Sequence, residues 1–201
     1  MTNEELGKEI ALGIINTGVE GGYDALSCST AGDYPSMGVS QWEGIDGGRG
    51  DTLLSYIDGG DHFAGRTYSD IEAAGEMDAL ADLLCSEQGQ QAQQMILAQD
   101  CTELYADTLT DIDGFDDSRS IIYAGIWCPT SHVVVSKFIE HRRDRGEDVN
   151  DLYSLYNLFH DEYAHAAGCD DYEAGYQNRA TNTYDYVREL DLSAYGVPAY
   201  D

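Results

Sequence analysis

The chain has 201 residues, 38 acidic and 10 basic, for a formal net charge of −28. Such a polyanion repels nucleic-acid phosphates and acidic membrane surfaces, so binding to DNA, RNA or anionic lipid is disfavoured. The length fits one domain over residues 1–201, and 42% apolar content is enough to build its core.

In chain order the patterns read as helices. Thr2-Asn3-Glu4-Glu5 is a capping box, after which Leu6, Ile10, Ile14 and Ile15 share a face, and glycines from Gly18 onward end the helix. A short helix is expected from Met37 to Trp42, and another from Asp51 to Ile57 with Leu53, Leu54 and Ile57 inward. Ser69-Asp70-Ile71-Glu72 is read as a second capping box. It opens a helix that turns Ala73, Met77, Leu80, Leu83 and Leu84 inward. The stretch Gln90 to Leu109 is periodic through Met95, Ile96, Leu104 and Leu109. DGFDDSRSIIYAGIWC predicts a buried central helix, and Pro129 is placed to start the next one, which stops at Gly146. Val133 to Val135 fall within that helix, although a β-branched run also fits a short strand. Asp148 to Ala167 and Tyr172 to Leu190, both tyrosine-rich, complete an all-α, mainly helical class with at most a minor β element. No hairpin signal, linker or internal repeat stands out.

No apolar run approaches the roughly 18 residues of a membrane span. The start, MTNEELGKEI, is too acidic and polar for a secretory signal, so synthesis in the cytoplasm and no membrane insertion are expected. Five cysteines, an odd number without a CxxC, read as reduced thiols rather than a zinc knuckle. Asp111 to Ser118 lacks the spacing and distal Glu of a calcium loop, and His160 and His165 lie five apart where a helical zinc pair needs four. Neither a metal nor another cofactor is expected. HRRDRG reads as a solvated helix end whose charges suit the C-terminal dipole.

One stretch carries chemistry. Glu20 falls at or just past the end of the first helix, among glycines. Partial negative charge at a helix C-terminus and apolar neighbours both favour the neutral acid, the form that a glycosidase needs to protonate a leaving oxygen. Gly21 and Gly22 leave room for a large ligand beside it. Further on come Ser36, Gly38 and Gln41 in SMGVSQ, then Trp42.

Glu20 followed by Ser36-x-Gly38-x-x-Gln41 resembles the signature of goose-type lysozymes and soluble lytic transglycosylases. The continuation Gln41-Trp42, Gly44, Arg49, Leu53 and Leu54 is similar to phage-encoded lysins of that lysozyme-like superfamily. The likeness covers residues 10 to 57, with a weaker echo over 117 to 190. Gly21 stands where the family usually has serine, and the gap from Glu20 to Gln41 is a few residues longer than typical. The resemblance implies a lysozyme-like fold. It implies cleavage of the β-1,4 bond between N-acetylmuramic acid and N-acetylglucosamine, with Glu20 as general acid. By the family's spacing, Asp33 is the expected base and Asp46 the second choice. Ser36, Gln41 and Trp42 would form the substrate shelf, with Trp42 either stacking on a sugar ring or, the favoured reading, packing in the core, and Tyr34, Tyr123, Tyr176 and Tyr184 are candidates to line the groove. The expected partner is the peptidoglycan glycan strand, reached after release from the cell or on a virion, with a separate wall-targeting partner where needed. Two alternatives are carried: a chitosanase-like glycosidase, since a polyanion suits a polycationic substrate, and a non-catalytic acidic virion protein or DNA mimic.

Overall fold

A computed structural model describes residues 1–18, 21–45 and 47–200. The described residues are mainly helical with one small antiparallel sheet. Contacts divide the chain, read above as one domain, into two compact units, Met1–Val19 with Ala98–Asp201, and Glu20–Leu97. Among the described residues no helix is long and apolar enough to cross a membrane.

The first unit opens with α1 (Asn3–Thr17). The capping box forms as expected: the Thr2 hydroxyl accepts from the Glu5 amide at 3.2 Å and the Glu5 carboxylate accepts from the Thr2 amide at 2.7 Å. Leu6, Ile10 and Ile14 are buried, and the helix stops at Gly18 in the left-handed region, φ 63°. The long helix α7 (Ser118–Asp144) is the spine of this unit, capped by Asp117. Glycines let α1 and α7 approach closely. A Cβ on Gly125 would lie 2.4 Å from Ile10 Cδ1, and one on Gly13 would lie 2.3 Å from Ile126 Cδ1. Each isoleucine therefore fills the space its facing glycine leaves. Around α7 pack α8 (Leu152–Ala166) and α9 (Glu173–Arg188). Tyr123, Trp127, Phe138, Phe159 and Tyr163 form their shared aromatic core, with edge-to-face and tilted rings 4.9–6.5 Å apart. Buried Arg119 donates to the carbonyls of Val187, Leu190 and Pro198, closing the end of α9 and the tail beyond it.

The second unit holds β1 (Leu26–Cys28), β2 (Pro35–Met37) and β3 (Trp42–Glu43) in the order β1-β2-β3. It continues with α2 (Arg49–Ser55), α3 (Tyr68–Ala73), α4 (Met77–Cys85) and the start of α5 (Glu87–Asp100). The chain passes into the first unit within α5 and runs on through a π-helical turn, Cys101–Ala106, to α6 (Asp107–Thr110). The π turn lies where α1 comes nearest: a Cβ on Gly7 would sit 2.7 Å from the Thr102 amide nitrogen.

Several expectations are corrected. Met37 to Trp42 is not a helix but the end of β2, a turn and the start of β3, because Gly38 (φ 71°) and Gln41 (φ 51°) both leave the right-handed region. The sheet therefore sits where no hairpin was expected. The Ser69 capping box does not form: Thr67 caps α3, accepting from Asp70, and Gly75 at φ 71° separates α3 from α4. Ala73, Met95 and Leu104, expected inward, are exposed. Val133 to Val135 is helical. Pro129 stands, as expected, where one helix gives way to the next: α7 is two helical segments joined at a kink, and the second opens after Ser131, which is extended at φ −176°, ψ 108° and whose hydroxyl accepts from the Val134 amide at 3.3 Å. Arg142 in HRRDRG is not solvated. It is buried and paired with Glu147 and Glu162.

Candidate functional site

Glu20, the expected acid, and Asp46, the second-choice base, lie outside the described residues. The surroundings of the motif are defined. α1 ends two residues before Glu20 with no basic side chain in its last turn. Gly21, the next residue after Glu20 in sequence, lies against the motif: a Cβ there would be 3.4 Å from the Gly38 carbonyl oxygen and 2.7 Å from the Ala25 Cβ. That crowding accounts for glycine at a position where the resembling family has serine.

Ser36-x-Gly38-x-x-Gln41 folds into one tight turn between β2 and β3. Ser36 pairs with Ser27 on one side and Glu43 on the other. Its hydroxyl donates to the Gln41 carbonyl at 2.9 Å, and the Gln41 amide donates to the Gly38 carbonyl at 3.0 Å. The Gly38 amide donates to Ala25 at 2.8 Å, tying the turn back to β1. Gly38 is required twice over, by its positive φ and by a Cβ position only 2.3 Å from Gln93 Oε1. Gln41 is the single non-glycine among the described residues with positive φ, and its side chain is exposed. Strain of this kind costs of order 1–3 kcal/mol and collects at functional positions.

Gln93 holds the turn from beneath. It is fully buried, and its Oε1 accepts from the Val39 amide at 3.0 Å. Its Nε2 donates to the Leu84 and Tyr23 carbonyls at 3.0 and 3.2 Å. Next to it, Gln94 donates to the Tyr23 hydroxyl at 2.7 Å. Sequence reading missed Gln93 because it sits in the polar run EQGQQAQQ. The signal was its register: Gly89, Gln93, Ile96 and Leu97 share the buried face of α5.

The other expected residues divide. Ser36 is 8% exposed with its hydroxyl committed to Gln41, so it shapes the turn and is not the exposed contact residue expected of it. Trp42 is 7% exposed, pairs with Met37 across the sheet and packs in the core, and is not an open stacking face. Tyr34 is half-buried and folds back over Gly32, whose Cβ would meet its ring at 2.5 Å. Asp33 is exposed, and its Oδ1 accepts from both the amide and the hydroxyl of Ser69 at 3.0 Å. It thus anchors the start of α3.

Tyr123, Tyr176 and Tyr184 belong to the first unit. Tyr123 cannot line a groove. It is wholly buried, its hydroxyl donates to the Ala180 carbonyl at 3.4 Å, and burial holds its phenol well above the ordinary tyrosine range. Tyr184 packs among Tyr153, Tyr156 and Tyr200. Tyr176 stacks on Trp127 and lines an open pocket. Among the described residues no cluster of three or more His, Cys, Asp or Glu side chains is arranged to hold a metal ion. The loop Asp111 to Asp117 is instead fixed by Asn150. That side chain accepts from the Asp116 and Asp117 amides and donates to Gly114.

Comparison with family models, with curated proteins and with solved structures finds no match to this chain.

Proposed function

We propose that this protein is a peptidoglycan glycosidase that cuts the β-1,4 bond between N-acetylmuramic acid and N-acetylglucosamine, with Glu20 as general acid. One observation carries the reading. Ser36, Gly38 and Gln41 act together as a single strained turn that presents Gln41 to solvent, and the residue following Glu20 lies against that turn. The Ser36-x-Gly38-x-x-Gln41 part of the signature is thus a built turn with one exposed amide side chain, which supports the reading.

In this mechanism the Glu20 proton passes to the glycosidic oxygen as the anomeric carbon–oxygen bond breaks. The exposed Gln41 amide both donates and accepts, which suits an acetamido group. The anomeric carbon is then taken by water, giving a reducing end, or by the 6-hydroxyl of the same muramic acid, giving an anhydro end. Asp33, the proposed base, accepts from Ser69 through Oδ1, which fixes its carboxylate. Access to the wall would follow release from the producing cell or carriage on a virion.

The test is zymography on purified cell walls with wild type and Glu20→Gln, followed by mass spectrometry of the products. The reading expects clearing by wild type and none by the variant. Clearing by both removes Glu20 from the mechanism. No clearing by either returns the protein to the non-catalytic acidic class. The net charge of −28 favours a second reading, cleavage of a polycationic glucosamine polymer, so chitosan is run beside the walls.

A further inference from the structure

The first unit contains a pocket of about 400 Å³ that the proposed cleavage does not use. It is lined by Cys169, Tyr172, Gly175, Tyr176 and Arg179, where the short 3-10 turn Asp170–Tyr172 leads into α9. Residues 172, 175, 176 and 179 follow helical spacing, so one face of α9 and its entry supplies most of the wall. Tyr172 is 70% exposed and offers an open ring. Tyr176 is backed by Trp127, with ring centroids 5.8 Å apart and planes at 18°. The Arg179 guanidinium lies 4.7 Å from the Trp127 ring and is fixed by bonds to the Thr130 hydroxyl and the Ile126 carbonyl at 3.0 and 2.9 Å. The pocket is thus preformed.

Gly175 is the telling residue. Glycines in the other helices are there because something fills the Cβ position: Thr102 against Gly7, Ile126 against Gly13, Leu83 and Leu84 carbonyls against Gly89, Ile10 against Gly125. At Gly175 a Cβ meets nothing within 4 Å and φ is not positive. The fold has no steric or backbone need for glycine there, although glycine costs a helix up to about 1 kcal/mol relative to alanine. What the missing side chain preserves is the space of the pocket.

We propose that this pocket is a binding subsite for a single N-acetylhexosamine ring of the glycan, an inference that rests on the glycosidase reading. The volume is at the low end of small-molecule sites, about 300–1,000 Å³, and suits one ring. The exposed Tyr172 face receives the apolar C–H face of a pyranose. The exposed Tyr172 hydroxyl supplies a donor for a carbonyl or ring oxygen. A neutral sugar avoids the repulsion that a chain of net charge −28 imposes on anions.

The experiment is a titration of the full chain with N-acetylglucosamine, followed by amide chemical shifts. Wild type is expected to show saturable shifts confined to residues 169–179, and glucose at equal concentration to show weaker ones. Gly175→Ala is expected to weaken binding at least about tenfold while its melting temperature stays equal or rises, because the added methyl projects into the space the ring would occupy yet favours the helix. Tyr172→Ala should weaken binding to a similar degree. Unchanged affinity in Gly175→Ala, or wild-type shifts elsewhere or absent, overturns the inference. Wall clearing, scored separately with Glu20→Gln, tells the two failures apart. Clearing without pocket shifts defeats the subsite alone. Pocket shifts without clearing defeat the glycosidase reading and leave a sugar-binding pocket.

Discussion

Gln93→Leu isolates what holds the motif turn. The substitution keeps size and removes every polar atom of a side chain with no exposed surface. Two fully buried groups lose their partner, the Val39 amide and the Leu84 carbonyl, and the part-buried Tyr23 carbonyl loses a third bond. Leu84 lies in the last turn of α4, where carbonyls have no partner within the helix, so Gln93 is acting as an internal cap. A buried group left unpaired costs about 1–3 kcal/mol, and burying leucine returns about 1–2 kcal/mol through its better transfer from water. The net loss is then about 3 kcal/mol. The neighbouring Gln94→Leu forfeits one bond to Tyr23 on a part-buried side chain and should cost about 1 kcal/mol or less. Urea unfolding followed by circular dichroism measures both, and hydrogen exchange at the Val39 amide reads the turn itself. Its protection should fall in Gln93→Leu and hold in Gln94→Leu. A loss under about 1 kcal/mol with Val39 protection unchanged would falsify the account of the turn as pinned from α5.

Two further outcomes are expected. Asp33→Ala should lower stability by about 1 kcal/mol, the usual worth of a side-chain acceptor at a helix start, and Asp33→Asn, which keeps an acceptor oxygen, should restore most of it. If Asp33→Asn stays folded and loses hydrolysis, the carboxylate is the base; retained hydrolysis confines Asp33 to its anchoring role. Bonds from Arg66 and then His62 hold the Glu76 carboxyl below its usual range. A depressed carboxylate stabilises the folded state above its unfolded pKa, and that contribution is lost as pH falls through the folded value. Glu76→Gln should therefore unfold at lower urea than wild type at pH 7, with the gap closing as pH drops below the carboxylate range. An equal gap at pH 7 and at pH 3 rules the linkage out.

Much of the first unit was legible because its signals are local and periodic. The Thr2–Glu5 box, the Leu6–Ile10–Ile14 stripe and the apolar run through Trp127 each report burial from spacing alone, and the helices follow. The sheet was not legible. β3 has two residues and β2 three, too short for alternation to register, and SMGVSQW reads as helix unless Gly38 and Gln41 are known to be left-handed. Met95 and Leu104 show the limit of periodicity, being apolar yet exposed, while polar Gln93, two residues before Met95, is buried.

By itself the sequence determined helical class, acidic character and the residues of the motif, because composition, capping and spacing are properties of short windows. Tertiary structure decided which of those residues face outward. Gln41 is presented to solvent, while Ser36, Trp42 and Tyr123 are consumed by packing and hydrogen bonds. It also decided which glycine guards a space and not a crossing, since that depends on atoms from distant parts of the chain that no local window contains.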